Sequence, residues 1–321
     1  MTFSRSMTTF VFRRSRILSR FRSISGDQKK ECHGSIQLYN ISQVPPFLKF
    51  NPHIYSGYRV NLSYQSCLKS LFVLSNESIN IWSHFLGFFI FVYLLVFDNV
   101  YVVPWTLQSM PDRIVISSAC FFYMSTLLLS TLYHLFHCHS ERMNQLWLKM
   151  DIGGIGIGII GGFVSGLYVA YYCHRYWLLI YVIVSTLLIS ASVYNLACSD
   201  AKGIQFQISN LNFRMNRTVV FVIIVAFSLV PIFHFIYLHD GISSTFVRQF
   251  TIGASYMLFY GLMGCLFLVT KFPERLFPGK FDYVASSHQF WHLFVFLLFY
   301  SWHQSCLDAV QYRIKNQCEI I

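Results

Sequence analysis

Two histidines stand four residues apart in the stretch SSHQFWHLF, at the start of the last long apolar segment. Four residues of helix correspond to about 40° of rotation and about 6 Å of rise, so His288 and His292 can reach one ion. Ser130 and His134 have the same spacing near the end of another apolar segment, and Asp151 begins a third. Ionisable side chains at membrane depth are functional candidates when they face the interior of a helix bundle.

Three imidazoles with a carboxylate nearby suit zinc, which would keep its fourth position for water. Zinc held in this way lowers the pKa of a bound water and can polarise a carbonyl group. Asp151 could contact the metal through that water or act as a general base, and Ser130 could support an oxyanion. The residues favour a metal site and leave open whether a substrate is turned over.

Some alternatives remain open on spacing alone. His137 follows His134 by three residues, and spacing does not choose between them. A pair of histidines four residues apart also occurs at hydrated helix ends. Single histidines in membrane segments are more often packing or helix-end residues, and we interpret five in this way: His84, His137, His139, His234 and His239.

The composition indicates a polytopic membrane protein. The 321 residues are 55% hydrophobic and only 12% charged, with 33 phenylalanines, which leaves too little polar surface for a soluble globule of this length. The net charge of +11 is interrupted by apolar runs and forms no nucleic-acid-binding motif, so we expect no nucleic-acid partner. Nine cysteines are scattered singly and predict neither a disulfide scaffold nor a cysteine-based metal site.

Seven uncharged runs are each long enough to cross a bilayer, which takes about 20 apolar residues. They cover 79–98, 114–136, 152–172, 177–196, 218–238, 249–270 and 285–305. With a cytosolic N-terminus, the inside segments hold 19 of the 24 Lys and Arg residues. The prediction is an all-α bundle of seven transmembrane helices with a lumenal or extracellular C-terminus. The histidines and Asp151 then lie on the cytosolic side.

The chain divides into four expected regions: a basic tail at 1–36, a cytosolic segment at 37–78, the seven-transmembrane domain at 79–305 and a short C-terminal tail at 306–321. We expect the first tail to be disordered; the alternative is a mitochondrial transit peptide, because the stretch has Arg and Ser but no acid before Asp27. Apolar residues recur at helical spacing from Tyr64 to Phe72 and predict an amphipathic helix on the membrane surface.

Small residues form a stripe along the third run, where Gly154, Gly158, Gly162 and Gly166 repeat every four positions. Such a stripe allows neighbouring helices to approach closely. Asp151 is seven residues before Gly158 and nearly in line with it, so the carboxylate is expected to face the packed interior.

Five separated motifs resemble one family. They are SNESINIWSHFLG at 75–87, YHLFHCHSE at 133–141, the aspartate of the third run, PERLFPGKFD at 273–282 and SHQFWH at 287–292. In this order they resemble the progestin and adipoQ receptor (PAQR) family, which includes the adiponectin receptors. The likeness runs from about residue 37 to about residue 312. Residues 38–84 resemble a Golgi member of the family that traps Raf kinase.

The resemblance implies a seven-helix fold, an N-terminus in the cytosol and one zinc ion. Carried over position by position, the zinc ligands are His134, His288 and His292, with Asp151 bound through water, and Ser130 matches the family's serine. DIGG departs from the family pattern, because relatives tend to have an aromatic residue after the aspartate. No ligand is lost by that change.

Two functions follow from the resemblance as expectations. The first is a non-enzymatic Golgi regulator that tethers a Raf-type kinase through its cytosolic N-terminal region and dampens MAPK signalling. The second is a zinc-dependent intramembrane hydrolase of lipid amides, of ceramidase type, in which Asp151 and Ser130 are catalytic. A purely structural zinc is a third possibility. In each case membrane lipids surround the bundle, and a lipid or fatty acid is expected as its ligand.

Overall fold

The computed structural model describes residues 36–106, 109–198, 204–208, 211–215 and 217–316. The expected basic tail at 1–36 falls almost entirely outside these ranges. From Leu38 onwards the chain forms one compact unit.

Seven long helices make up most of this unit. Six of them are long and apolar enough to cross a membrane, and among the described side chains α6 adds a shorter apolar stretch, Ala226–Leu238. This confirms the predicted all-helical membrane bundle. The helices are α2 (Ser78–Phe97), α3 (Met110–Phe136), α4 (Glu141–Ala170), α5 (Arg175–Cys198), α6 (Arg217–Leu238), α7 (Thr245–Thr270) and α8 (Ser287–Lys315).

Two helices extend beyond their apolar runs. α4 begins at Glu141 rather than at residue 152, because Ser140 caps it by accepting a hydrogen bond from the Met143 amide. α8 continues to Lys315 rather than ending at residue 305. Hydropathy detects the apolar part of a helix, whereas these additional turns are polar. Asp151 therefore lies in the third turn of α4 and does not open the helix.

A short antiparallel hairpin joins α5 to α6, within an otherwise helical bundle. Its strands are β1 (Ile204–Ile208) and β2 (Leu211–Met215), with Ile204 opposite Met215. The alternating apolar and polar residues of IQFQI are typical of a strand. The sequence interpretation had not predicted this element.

The helix α3 is central to the part of the bundle that carries the candidate site. It packs against α2, α4 and α8, and α8 packs in turn against α7 and α4. Phe91 of α2, Tyr123 and Leu127 of α3, and Phe299 of α8 are buried together where three of these helices meet. The rings of Tyr123 and Phe299 stack with their centroids 4.5 Å apart.

The glycine stripe of α4 faces α3 and α8, as its spacing predicted. A Cβ atom added at Gly158 would come within 2.5 Å of Phe299 Cζ and 2.6 Å of Thr126 Oγ1. At Gly166 the added atom would collide with the indole of Trp302. The close approach of α4 to these helices therefore requires residues without side chains.

The segment before α2 folds against one end of the bundle. It contains the short helix α1 (Tyr64–Lys69), at the position where a helix was predicted. Only part of the apolar stripe faces outward: Phe72 is 84% exposed, whereas Cys67 is fully buried against Ile81 and Leu135. The outward part is a suitable surface for contact with a membrane interface.

Some cysteines are closer in space than their spacing in the sequence indicated. Cys173, in the turn after α4, is disulfide-bonded. Cys67 and Cys138 are free, with their sulfur atoms 3.7 Å apart. Helix packing produces such pairs between distant positions, which motif spacing cannot detect.

Candidate metal centre

Three histidines converge at the end of the bundle where α3 ends and α8 begins. His134 is in the last turn of α3, and His288 and His292 are in the first two turns of α8. The Nε2 atom of His134 lies 3.3 Å from Nε2 of His288 and 3.1 Å from Nε2 of His292. His134 and His292 are almost completely buried.

The arrangement of the three nitrogens fits a tetrahedral metal ion. For zinc–nitrogen bonds of 2.0–2.1 Å, two ligands in tetrahedral geometry lie about 3.3 Å apart, close to both of these distances. Three imidazoles that point their Nε2 atoms at one place cannot all be satisfied by hydrogen bonds to one another. The donor set therefore fits zinc, and its neutral nitrogens lie in a dry environment.

The second ring nitrogen of two of these histidines has its own partner. His134 Nδ1 donates a hydrogen bond to Glu77 Oε2 at 2.8 Å, which leaves Nε2 with a free lone pair. His292 Nδ1 lies 3.4 Å from the Ser83 hydroxyl. Such partners fix the tautomer and the orientation of a metal-binding imidazole.

Glu77 is the N-cap residue of α2 and carries a negative charge. Burial raises its pKa, but the hydrogen bonds that its carboxylate accepts from His134 and from the Asn80 amide at 2.7 Å lower the pKa by more than burial raises it. The resulting pKa is well below the usual range for Glu, so the side chain is a carboxylate at neutral pH. It can balance part of the charge of a divalent ion.

Asp151 and Ser130 lie together beside the histidines. The carboxylate of Asp151 is in hydrogen-bonding reach of the Ser130 hydroxyl and is close enough to His134 for an electrostatic interaction. Ser130 itself is buried. The structure thus brings the three histidines, Asp151 and Ser130 into one region. The Asp151 carboxylate makes no direct contact with the Nε2 atoms of the histidines.

His137 does not join the cluster. Its Nδ1 donates to the His134 carbonyl oxygen at 3.0 Å, and its Nε2 lies 3.8 Å from Glu77 Oε1. Spacing left open whether His134 or His137 belongs to the cluster. The distances place His134 in the cluster and His137 outside it. His137 supports the same carboxylate from the other side.

Sequence reasoning missed Glu77, and it interpreted His84 only as a packing or helix-end residue. The ring of His84 stacks on that of His292 with centroids 3.8 Å apart, and its Nε2 donates to the His292 carbonyl oxygen at 3.2 Å. A carboxylate immediately before an apolar run, followed by a histidine two turns later, was the available signal. Nothing in the spacing showed that both residues would meet helices α3 and α8.

Buried polar contacts hold the helix ends that carry the ligands. Arg59 donates to the His134 carbonyl oxygen at 2.5 Å and to Ser70 Oγ at 2.7 Å, so it caps the end of α3. Glu274 accepts from the Ser287 amide at 2.8 Å and from Asn51 Nδ2 at 2.9 Å. The loop before α8 therefore fixes the start of that helix and the segment before α2 together.

An apolar cavity of about 170 Å³ lies deeper in the bundle, between α4, α6, α7 and α8. Thr126 is among its lining residues and is one turn from Ser130 on α3. The Thr126 hydroxyl donates to the Gly154 carbonyl oxygen at 2.7 Å, so it offers little polarity to the cavity. The lining is suited to hydrocarbon.

The sequence model of the haemolysin-III related family matches residues 72–302, a range that contains Glu77 and all three histidines. The chain belongs to this family. Human progestin and adipoQ receptor family member 3 is 39% identical over 284 residues, which cover 88% of this chain and 89% of the relative. This membership confirms the family resemblance inferred from the five motifs.

More distant relatives also match most of this chain. Heptahelical transmembrane protein 1 of Arabidopsis thaliana is 29% identical over 294 residues, covering 88% of this chain and 84% of the relative. The adiponectin receptor protein of Drosophila melanogaster is 26% identical over 298 residues, covering 91% and 64%. Over nearly its whole length the chain is thus similar to proteins that are named as receptors or as heptahelical transmembrane proteins.

Proposed function

We propose that this chain is a receptor-like regulator in the Golgi membrane, with a zinc ion held by His134, His288 and His292. The observation that carries the zinc assignment is the convergence of the three Nε2 atoms at 3.1 and 3.3 Å. The Glu77 carboxylate beside His134 balances part of the charge of a divalent ion, and charges at membrane depth are usually paired in this way.

The proposed signalling role is to tether a Raf-type kinase through residues 1–78 and so to dampen MAPK signalling. Similarity to progestin and adipoQ receptor family member 3 over 88% of the chain supports this. The N-terminus is assigned to the cytosol, which the distribution of Lys and Arg supports. The disulfide-bonded Cys173 lies at the opposite end of the bundle from the free Cys67 and Cys138, which agrees with that orientation.

The zinc premise is tested by metal analysis of purified full-length protein. We expect about one zinc per chain at the histidine cluster, lost in His288→Ala and retained in the matched variant His53→Ala, which alters a histidine outside the cluster. Thermal unfolding of both variants provides the folding control. Equal zinc content in His288→Ala and wild type would contradict the assignment.

The kinase premise is tested separately in cells. Full-length chain and a chain lacking residues 1–36 are compared for recovery of a Raf-type kinase by pull-down and for growth-factor-stimulated MAPK phosphorylation. We expect recovery and dampening with the full-length chain. If neither the full-length chain nor its His288→Ala variant recovers kinase or alters phosphorylation, the tethering function is wrong even where zinc is present.

A second candidate function is hydrolysis of a lipid amide of ceramide type. The cavity of about 170 Å³, one turn from Ser130, favours it because an acyl chain could lie there with water excluded. Zinc supplies a Lewis acid and a lowered water pKa when bound at such a site. Asp151 would take the proton of the attacking water and pass it to the leaving amine, and Ser130 would donate a hydrogen bond to the carbonyl oxygen.

The hydrolase is distinguished from the regulator by turnover of labelled ceramide in detergent. We expect release of fatty acid by wild type and a loss of about 100-fold or more in Asp151→Asn, whose zinc content stays unchanged. Equal release by wild type, Asp151→Asn and His288→Ala would remove the hydrolase. In that case a stability loss in zinc-free protein would identify the metal as a structural brace.

A further inference from the structure

A second group of donors lies at the opposite end of the same helices. Asp98 ends α2, Cys120 is in the third turn of α3, and His303 is in the second half of α8. All three side chains are buried, with 3% of the Asp98 side chain and none of the His303 side chain exposed. Eleven residues of α8, or about 16 Å of helix rise, separate His303 from His292.

The three donors are close to one another. His303 Nε2 lies 2.7 Å from Asp98 Oδ2, and Cys120 Sγ lies 3.6 Å from both ring nitrogens of His303. One ligand atom from each residue falls within 4.8 Å of the other two. Because the sulfur is equidistant from the two ring nitrogens, it forms no well-directed hydrogen bond with either of them.

Asp98 starts a five-residue π-helical segment, Asp98–Val102. Such segments are rare and occur frequently at functional sites. Here the segment ends α2 with a wider turn, and it presents the carboxylate to α8 rather than to lipid. The distorted backbone is a second observation, independent of the donor types, that points to a built site.

Arg113 contacts Asn99, the residue after Asp98, and forms no ion pair with Asp98 within the described residues. Arg113 donates to the Asn99 and Val103 carbonyl oxygens at 2.6 Å and to the Pro104 carbonyl oxygen at 3.1 Å. It thereby satisfies backbone groups that the π-helical turn leaves open. Within the described parts of the chain, the ion-pair partner of Asp98 is His303. A buried carboxylate, imidazole and thiol therefore share one small volume with no fixed cation.

We propose that Asp98, Cys120 and His303 form a second metal site for a divalent transition ion of the zinc type. A thiolate, a carboxylate and a neutral imidazole balance the charge of such an ion, and binding releases the thiol proton of Cys120. In tetrahedral zinc sites the sulfur and nitrogen ligands lie about 3.5 Å apart, close to the 3.6 Å of Cys120 and His303. To complete the site, the Asp98 carboxylate has to move by about 0.7 Å away from Nε2. The Cys120 sulfur also has to shift from its position equidistant between the two ring nitrogens towards the lone pair of Nε2.

The two sites draw on the same helices in different ways. Glu77, which precedes α2, pairs with His134 of α3, whereas Asp98, which follows α2, pairs with His303 of α8. The donors of the first group are histidines of α3 and α8, and those of the second are Asp98, Cys120 of α3 and His303 of α8. The second site would join α2, α3 and α8 at the end away from the first.

The experiment uses purified full-length protein, reduced and stripped of metal, and titrates it with cobalt(II) as the probe. Cobalt bound by a thiolate gives a near-ultraviolet charge-transfer band, which an all-histidine site cannot give. We expect two equivalents to bind, with this band in the wild type. Cys120→Ser should lose the band and one equivalent, and Cys306→Ser, a matched change of another buried cysteine, should keep both.

The outcomes separate the two sites. His288→Ala should lose one equivalent and keep the thiolate band, so failure of the first site leaves the second measurable. Absence of the band in wild-type protein overturns the second site without any variant. Its persistence in Cys120→Ser, or its loss in Cys67→Ser, also overturns the proposal, because Cys67 and Cys138 would then be the cobalt ligands. Asp98 and His303 would in that case form a simple buried ion pair.

Discussion

The charge of Glu77 should determine how tightly the histidine cluster holds zinc. Its carboxylate contacts His134 Nδ1 at 2.8 Å, and the imidazole ring separates it from the cluster. Across the ring the distance to an ion is about 6.5 Å, for which an effective dielectric constant of about 20 gives roughly 2.5 kcal/mol for each unit of positive charge on the ion, or roughly 5 kcal/mol for a bare divalent ion. Glu77→Gln preserves the shape of the side chain and removes this attraction.

We therefore expect Glu77→Gln to weaken zinc binding by about 10- to 100-fold, the range found for partners of metal-binding histidines. The assay is competition with a chromophoric zinc chelator, using full-length protein in detergent. Glu141→Gln is the matched control, because Glu141 is exposed at the start of α4 and should leave the affinity unchanged. An affinity for Glu77→Gln within about threefold of wild type, or less than 0.7 kcal/mol, would refute the electrostatic reasoning.

Three further predictions concern packing and buried charge, each measured by thermal or denaturant unfolding. Gly166→Ala should destabilise by about 1–3 kcal/mol because its methyl group meets Trp302, whereas Gly153→Ala, with open space around it, should gain up to about 1 kcal/mol; equal effects would contradict the packing. Glu274→Gln should lower the free energy of unfolding by about 1.5–3 kcal/mol and expose the segment before α2 to protease, because it weakens the contacts with Ser287 and Asn51. Unchanged stability and protease resistance would contradict this role of Glu274. Arg313→Met should lose about 3–5 kcal/mol, because Asp112 would stay buried without its ion pair, and Lys315→Met should lose little; similar losses would argue against the pair.

The bundle was predictable from the sequence because long apolar runs have one stable arrangement in a membrane. Residue type and the alternation of helix direction placed His288 and His292 at the same end as His134 and His137, and only the family resemblance selected His134 from that last pair. The polar first turns of α4 were not predictable in this way, because hydropathy does not detect a capped polar turn. The β1–β2 hairpin was not predicted for a related reason, because it is a short element inside a segment that was interpreted as a loop.

The supporting residues of the site were harder to identify. Glu77 and His84 contact the ligands only through packing between α2 and the ends of α3 and α8, and no local pattern encodes that. Asp98, Cys120 and His303 were hidden more completely. Each stands alone within its own segment, whereas His288 and His292 form a pair within one helix. Pairs on one helix are visible in a sequence, and groups shared between helices require the fold.

The core between α2, α3 and α8 links the two ends of the bundle. Phe91, Tyr123 and Phe299 are buried between the histidine cluster and the Asp98 group, with the Phe91 ring 5.9 Å from that of His303. Because densely packed interiors transmit small displacements, a change in helix separation at one end should be felt at the other. α4 holds this arrangement from the side through its glycines. An ion at either end would therefore favour the same spacing of α2, α3 and α8. Both sites thus depend on the core between these three helices.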